Sequence, residues 1–200
     1  SDIVALVPAY NEASRISPVI QGAAEFLPVA VVDDGSTDGT GAVATQAGAM
    51  LVEHVANCGK GAALKTGFYW ARRNGYRAVI TLDADGQHDP ADIPTFLAAF
   101  DQNPDALVIG RRDRRKMPWM RGAANAIGSE MVSAALKTRV YDNQCGYRLY
   151  PSSFLTRMHM TTAGFEFEVE VIAQAVAFDI PIEWVSVKTI YDIDKTSYFD

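Results

Sequence analysis

The stretch VITLDADGQHDP, residues 79–90, decides how the chain is read. Val79, Ile80, Thr81 and Leu82 form an apolar, β-branched run of strand length, and it ends in two aspartates separated by one alanine. Gly86 then permits a tight turn. Asp83 and Asp85 place like charges together beyond a strand end, which costs free energy unless a cation stands beside them. A divalent ion with oxygen ligands, Mg2+ or Mn2+, meets that need, and Mg2+ held by one or two carboxylates usually completes its shell with substrate phosphates. The plainer alternative is that Asp83 caps the turn and Asp85 is solvated. The D-x-D pattern alone does not choose between them.

Outward from this stretch, apolar runs of strand length recur: IVALV (3–7), VAVVD (29–33), AMLVEH (49–54), AVITLD (78–83) and ALVIG (106–110). Segments with helical periodicity lie between them, around 14–27, 38–47, 60–74 and 91–102. Strands apolar on both faces that alternate with helices predict an α/β domain, a mostly parallel, Rossmann-like sheet covered by helices on each side. In such sheets ligands sit beyond the carboxyl ends of the strands. The loops PAYNE (8–12), DDGSTDGT (33–40), DADGQHD (83–89) and GRRDRRK (110–116) should therefore converge on one crevice.

The second half is patterned differently. Met120, Ala123, Ala124, Ile127, Met131, Ala135 and Leu136 recur at spacings of three and four, predicting a long amphipathic helix over 118–138 that needs a partner surface. CGYRLYP (145–151) reads as a short strand and IEWVSVKTIY (182–191) as a half-buried one. GFEFEVEVIAQAVAF (164–178) alternates at first, but its length and alanines favour a helix from about residue 166. No repeat, low-complexity tract or linker divides the chain, so one domain is expected.

Bulk properties narrow the function. With 200 residues, 48% of them hydrophobic, the chain can bury a substantial core. Eighteen basic against 24 acidic residues leave a net charge of -6, which argues against a surface built to coat nucleic acid, so any anion site must be local. Cys58 and Cys145 are too few for a disulfide framework and lack C-x-x-C spacing, so they suit a reducing compartment and no structural zinc is expected. No apolar run reaches the roughly 18–20 residues that span a bilayer, and no signal-peptide pattern opens the chain. The absence of an initial Met, and an end at KTSYFD without a helix stop signal, suit a fragment of a longer chain.

Three further segments bear on chemistry. In VVDDGSTDGT (31–40) a second acidic pair, Asp33 and Asp34, ends a strand, with Gly35 for a turn and Ser36 or Asp38 as helix caps. A nucleoside needs such acceptors, though DGS is also a common turn. NCGKGAALKTGF (57–68) surrounds Lys60 with glycines yet does not match the phosphate loop of ATPases, because Lys60 precedes the second glycine. Five basic residues occupy six positions over 111–116, with Arg121 following. Arg114, Arg115 and Lys116 read as a solvated face, whereas Met117, Trp119 and Met120 beside them could meet an anionic membrane surface or belong to the core.

VPAYNE, VVDDGSTDGT, NCGKGAALKTGF, LDADGQHDP, VIGRR and CGYRLYP occur in an order and spacing that resembles inverting family-two glycosyltransferases of the GT-A fold, and more narrowly the dolichyl- or polyprenyl-phosphate sugar synthases. The resemblance covers nearly the whole chain. It implies a nucleotide-sugar-binding half (1–110) and an acceptor-binding half (111–200). It assigns Pro8, Tyr10, Glu12, Val32 and Asp34 to the donor nucleoside, with Lys60, Ala84 and Lys195 also on the donor side. Asp83, Asp85 and Gln87 would hold Mg2+ or Mn2+ and the diphosphate, and Arg112, Arg121, Asn125 and Glu170 the acceptor. Asp83, Asp85, Arg112 and Arg121 are the candidate catalytic set. Glu166 and Glu168 read as surface charges, and His88 as a hydrogen-bonding turn residue.

The expected partners are a GDP- or UDP-sugar and a polyprenyl phosphate, at the cytoplasmic face of a membrane, without nucleic acid. The main alternative is transfer to a sugar or small-molecule hydroxyl, for which Asp142 or Glu170 would serve as base. A nucleotidyltransferase is disfavoured because PAYNEASRIS has no glycine-rich loop. A binding module without catalysis is disfavoured by Arg112 and Arg121, and hydride transfer by the lack of G-x-G-x-x-G after the first strand.

Overall fold

A computed structural model describes residues 2–113, 117, 119–160, 166–188 and 190, without the side chains of Trp119, Arg121 and Glu166. Seven strands are present among them: β1 (Ile3–Ala9), β2 (Val29–Asp33), β3 (Met50–Glu53), β4 (Ala78–Thr81), β5 (Leu107–Arg112), β6 (Arg148–Pro151) and β7 (Ile182–Val187). They form one sheet in the order β3-β2-β1-β4-β6-β5-β7. β6 is antiparallel to both of its neighbours, and every other pairing is parallel. All strands but β6 thus deliver their carboxyl ends to the same rim, where β6 begins.

The β1 pattern explains the layering. Ile3, Ala5, Val7 and Ala9 enter one core with Ile16, Val19 and Ile20 of α1 (Ile16–Ala24), Ala44 of α2 (Thr40–Gln46) and Phe96 of α4 (Ile93–Gln102). Val4 and Leu6 enter the opposite core with Leu64 and Phe68 of α3 (Lys60–Arg73) and Val171 and Ile172 of α7 (Glu166–Ala177). Both faces of β1 are buried, so its sequence is apolar without alternation. The α/β sandwich expected from the sequence is the one observed.

Three differences carry information. β6 inserts between β4 and β5, an antiparallel step that the strand pattern alone did not reveal, and a short α6 (Ser152–Leu155) follows it. The last strand stops at Val187 instead of running to residue 191. The third concerns α5 (Trp119–Leu136), most of whose apolar stripe faces outward: Met120, Ile127 and Met131 are about two-thirds exposed, while Val132 and Leu136 near its end pack against the second core. Its inward face carries Asn125 and Ser129, because it packs over a polar segment where Asn125 donates to Asp142 and Ser129 to Asn143.

Helix α3 approaches β1 closely at Gly67, where an added Cβ would stand 2.5 Å from both terminal carbons of fully buried Leu6. Gly67→Ala should therefore cost ~1–3 kcal/mol through overpacking, read as a lower urea midpoint with an unchanged slope.

Candidate active site

The loops after β1 and β2 are bound to each other. Asn11 N–H donates to Ser36 Oγ at 2.9 Å, Glu12 N–H to Thr40 Oγ1 at 2.8 Å, and Ala13 N–H to Asp38 Oδ2 at 3.0 Å. In return Thr37 N–H donates to Asn11 Oδ1 at 2.9 Å. The small polar residues of DDGSTDGT thus act as a clasp, and Asp33 belongs to it by accepting from Ser36 N–H. Asp34 points elsewhere. It is fully buried, and its carboxylate accepts from Cys58 N–H at 2.9 Å and Gly59 N–H at 2.8 Å, with His54 Nδ1 at 2.6 Å. Gly35 has a φ of 74°, and a Cβ there would lie 2.5 Å from the Ala56 backbone, so only glycine lets the two loops close on Asp34.

The loop after β4 holds the acidic pair. Lys60 Nζ, at the start of α3, is 2.6 Å from Asp83 Oδ1 and 3.7 Å from Glu168 of α7. Burial alone would raise the Asp83 pKa, but Lys60, assisted by His88, holds it down at about 2. Burial likewise works against the Lys60 charge, yet Asp83 and Glu168 keep its pKa raised. Asp85 has the opposite fate: burial and the neighbouring Asp83 charge raise its pKa, against a hydrogen bond from Gln87 N–H at 2.9 Å. Glu12 is also raised, first by burial, with Asp85 adding to it against the pull of Arg15 at 2.6 Å. The carboxylates expected to converge do so.

His88 supports the loop from beneath. It is buried, its Nδ1 accepts from Asp83 N–H at 3.0 Å, and its ring stacks on Tyr147, which stacks on Phe96. An acceptor role for Nδ1 places the neutral ring's proton on Nε2. Burial lowers its pKa despite Asp83 and Asp85 nearby. A hydrogen-bonding turn residue was expected, and that is its setting.

Across β6 lies a second charged group. Arg112 Nε and Nη2 grip Asp142 at 2.7 and 2.9 Å, and Asn125 Nδ2 adds a third bond at 2.8 Å. Burial would raise the Asp142 pKa, and these contacts lower it instead. Arg148, fully buried, donates to the carbonyls of Cys145, Asn143 and Glu168, so one guanidinium binds the segment entering β6 to the start of α7.

The other candidates fall in distinct places. Pro8 and Val32 are paired in the β1–β2 ladder, and Ala84 stands between Asp83 and Asp85 in the acidic loop; all three are buried. Tyr10 and Gln87 are half-buried at the rim, and the Gln87 carbonyl accepts from Ile190 N–H. Glu170 is half-buried and accepts from Gln174 of the same helix. Asn125 is buried with its amide turned to Asp142 and Gln144. The Arg121 side chain, Arg114, Arg115, Lys116 and Lys195 lie outside the described residues.

Sequence reading missed two contributors and misread a third. Glu168 is not a surface charge: it is 6% exposed and faces Lys60. Its signal was its place at i, i+3, i+4 and i+7 with the buried Val171, Ile172 and Ala175. His54 ends the AMLVEH run beside Asp34, and Arg148 stands within CGYRLYP. Neither position has a pattern that announces its partner.

Comparison with known proteins agrees with this geometry. Residues 4–158 match the family described as Glycosyl transferase family 2, and the chain belongs to that family. The protein is therefore a glycosyltransferase. It is 31% identical over 189 residues to the polyprenol monophosphomannose synthase of Mycolicibacterium smegmatis, covering 86% of this chain and 71% of that protein. It is 28% identical over 184 residues to the undecaprenyl-phosphate mannosyltransferase of Micrococcus luteus, covering 84% and 75%. Glucosyl-3-phosphoglycerate synthase from Mycobacterium tuberculosis, solved with Mn2+, uridine-diphosphate and glucosyl-3-phosphoglycerate, shares the GT-A fold at a TM-score of 0.77 and 20% identity, over 96% of this chain and 72% of that one.

The raised Asp85 pKa has a consequence for stability. Its protonated form is favoured in the fold, so at neutral pH the ionised carboxylate opposes folding, and that penalty fades as pH falls through the raised value. Metal-free Asp85→Asn should therefore unfold at a higher temperature than wild type at pH 7, on the order of 2–4 °C if ~1 kcal/mol is involved. The gap should close under acid, and added Mg2+ should raise wild type more than the variant.

Proposed function

We propose that the protein transfers a hexose, with inversion, from a GDP- or UDP-sugar to a polyprenyl phosphate. The donor half comprises 1–110 and the acceptor half 111–200. The observation that carries the choice of acceptor is the state of Asp142. A hydroxyl acceptor needs a base to take its proton; of the two candidates, Asp142, gripped by Arg112 and Asn125 with a lowered pKa, is a poor one, and Glu170 already accepts from Gln174 on its own helix. A phosphate oxygen is anionic at neutral pH and needs none. The named relatives from Mycolicibacterium smegmatis and Micrococcus luteus support the same reading.

The acidic loop fits a hard divalent ion. Two carboxylates, one with a raised pKa and one already drawing on the Lys60 ammonium, form an oxygen donor set short of positive charge. Asp83, Asp85 and Gln87 would hold Mg2+ or Mn2+, which would stabilise the negative charge growing on the departing diphosphate. Lys60 adds its own charge at the same place, and Lys195 is assigned to the diphosphate from the segment beyond β7. Asp34, Tyr10 and Glu12 are assigned to the nucleoside, for which the Asp34 carboxylate would exchange one of its present partners, Cys58 N–H, Gly59 N–H or His54.

In the transfer the bond from the anomeric carbon to the diphosphate breaks while an acceptor phosphate oxygen bonds to that carbon from the opposite side. Groups that meet the leaving charge more strongly in the transition state than before it lower the barrier. Arg112 and Arg121 orient the acceptor oxygen, an entropic contribution. Arg112 also lines, with Arg111, Arg139, Tyr141 and the carboxylates Asp113 and Glu130, a cavity of about 380 Å3 at the ends of β5 and β7, large enough for a phosphate group. Among the described residues no helix is long and apolar enough to cross a membrane.

Radiolabelled sugar should pass from one member of a nucleotide-sugar panel into the lipid fraction when the protein meets polyprenyl phosphate. Chelator should abolish this, Mg2+ or Mn2+ restore it, and Asp85→Asn reduce it by ~10²-fold or more. A product confined to the aqueous phase would favour the hydroxyl acceptor, and transfer undiminished by chelator would remove the metal.

A further inference from the structure

A second group of metal-ligating side chains stands at the far end of the rim, beyond β2 and β3. Carboxylate oxygen of Asp34, ring nitrogen of His54 and sulfur of Cys58 all lie within 4.8 Å of one another. The cluster is not a chance gathering of surface acids, since Asp34 is fully buried and held by two backbone N–H groups. His54 is aimed as well: Nδ1 stands 2.6 Å from Asp34 Oδ1 while Nε2 is 2.9 Å from Thr66 Oγ1 on α3. A ligating imidazole characteristically has its second nitrogen fixed in this way. Cys58 is exposed, and its thiol makes only a 3.3 Å contact with the Ala56 carbonyl, which a rotation about χ1 would release.

We propose that Asp34, His54 and Cys58 form a binding site for a thiophilic divalent ion of the zinc class, separate from the oxygen-ligand site of the Asp83 loop. Thiolate, imidazole and carboxylate are the ligands such an ion takes, and three of them with one water complete a tetrahedron. Bond lengths of about 2.0–2.3 Å place neighbouring ligand atoms about 3.3–3.6 Å apart. The His54–Asp34 contact therefore opens by under about 1 Å, and the thiol closes in. On binding, Cys58 releases its thiol proton to solvent, and His54 ligates through Nδ1 as the tautomer whose Nε2–H donates to Thr66. Mg2+ prefers an all-oxygen shell and does not compete. An ion here would withhold Asp34 from a nucleoside, a consequence that rests on the proposed donor site, whereas the binding itself does not.

Cobalt(II) titration of the purified protein in excess Mg2+ tests the site without donor or acceptor. One equivalent should produce a thiolate-to-cobalt charge-transfer band in the near ultraviolet, bleached when Zn2+ displaces the cobalt. The chain has two cysteines, and Cys145 is fully buried, so the band should vanish in Cys58→Ser and persist in Cys145→Ala. His54→Ala should weaken cobalt binding at least tenfold. Absence of the band in wild type, or a band that survives Cys58→Ser, would overturn the proposal.

Discussion

The ion pair between Lys60 and Asp83 is the contact on which the arrangement of the rim depends. Parallel strands deliver the acidic loops to one edge of the sheet, and folding therefore brings Glu12, Asp83, Asp85 and Glu168 toward one another before any ligand arrives. One ammonium, 2.6 Å from Asp83 and 3.7 Å from Glu168, offsets part of that repulsion. It does not satisfy all of it, as the raised Asp85 pKa records. The rim is thus folded around a deficit of positive charge. Its chemistry and its cost in stability share that origin.

The second half of the chain completes the rim by an unusual route. β6 runs against its neighbours, so the segment 142–147 leading into it arrives at the same edge as the loops that leave β4 and β5. Arg148 then joins that segment to α7 through three carbonyls, which brings Glu168 to Lys60. Buried and bonded only to main-chain oxygens, Arg148 shapes the site without entering it. The polar inner face of α5 follows from the same geometry: it covers Asp142 and Asn143, so amide and hydroxyl groups are turned inward and Met120, Ile127 and Met131 are left outside.

Legibility in the sequence tracked the range of the interaction. The parallel α/β half was readable because each strand is apolar throughout and each loop carries its own turn residues, so IVALV, VAVVD and ALVIG needed no knowledge of their neighbours. The acidic pair was readable for the same reason, since the repulsion between Asp83 and Asp85 is local. What escaped was set by partners distant in sequence. The antiparallel placement of β6 depends on where α5 returns the chain, and four residues RLYP do not encode it. The outward stripe of α5 followed the rule of helical periodicity, but the rule assumes that what lies beneath is apolar. Glu168 was read, with Glu166, as a surface charge. The buried positions three, four and seven residues on were the better guide.

Two of the ion pairs at the rim, those of Arg112 and Lys60, differ in kind. Arg112 holds Asp142 through two nitrogens of a planar fork, with Asn125 and Gln144 N–H adding to it, on a carboxylate 1% exposed. Breaking such a pair leaves a buried charge uncompensated, at a cost of ~3–5 kcal/mol, so it is a fixture of the fold. Lys60 is a point charge on a flexible stem, shared between two carboxylates at unequal distances. It can lose one partner and keep the other, which suits the exchange of metal and diphosphate proposed for this loop. Arginine at position 60 would commit to one carboxylate geometry, and lysine at 112 would leave Asp142 half satisfied. The choice of cation thus sorts the rim into a part whose pairing can shift and a part that is held fixed.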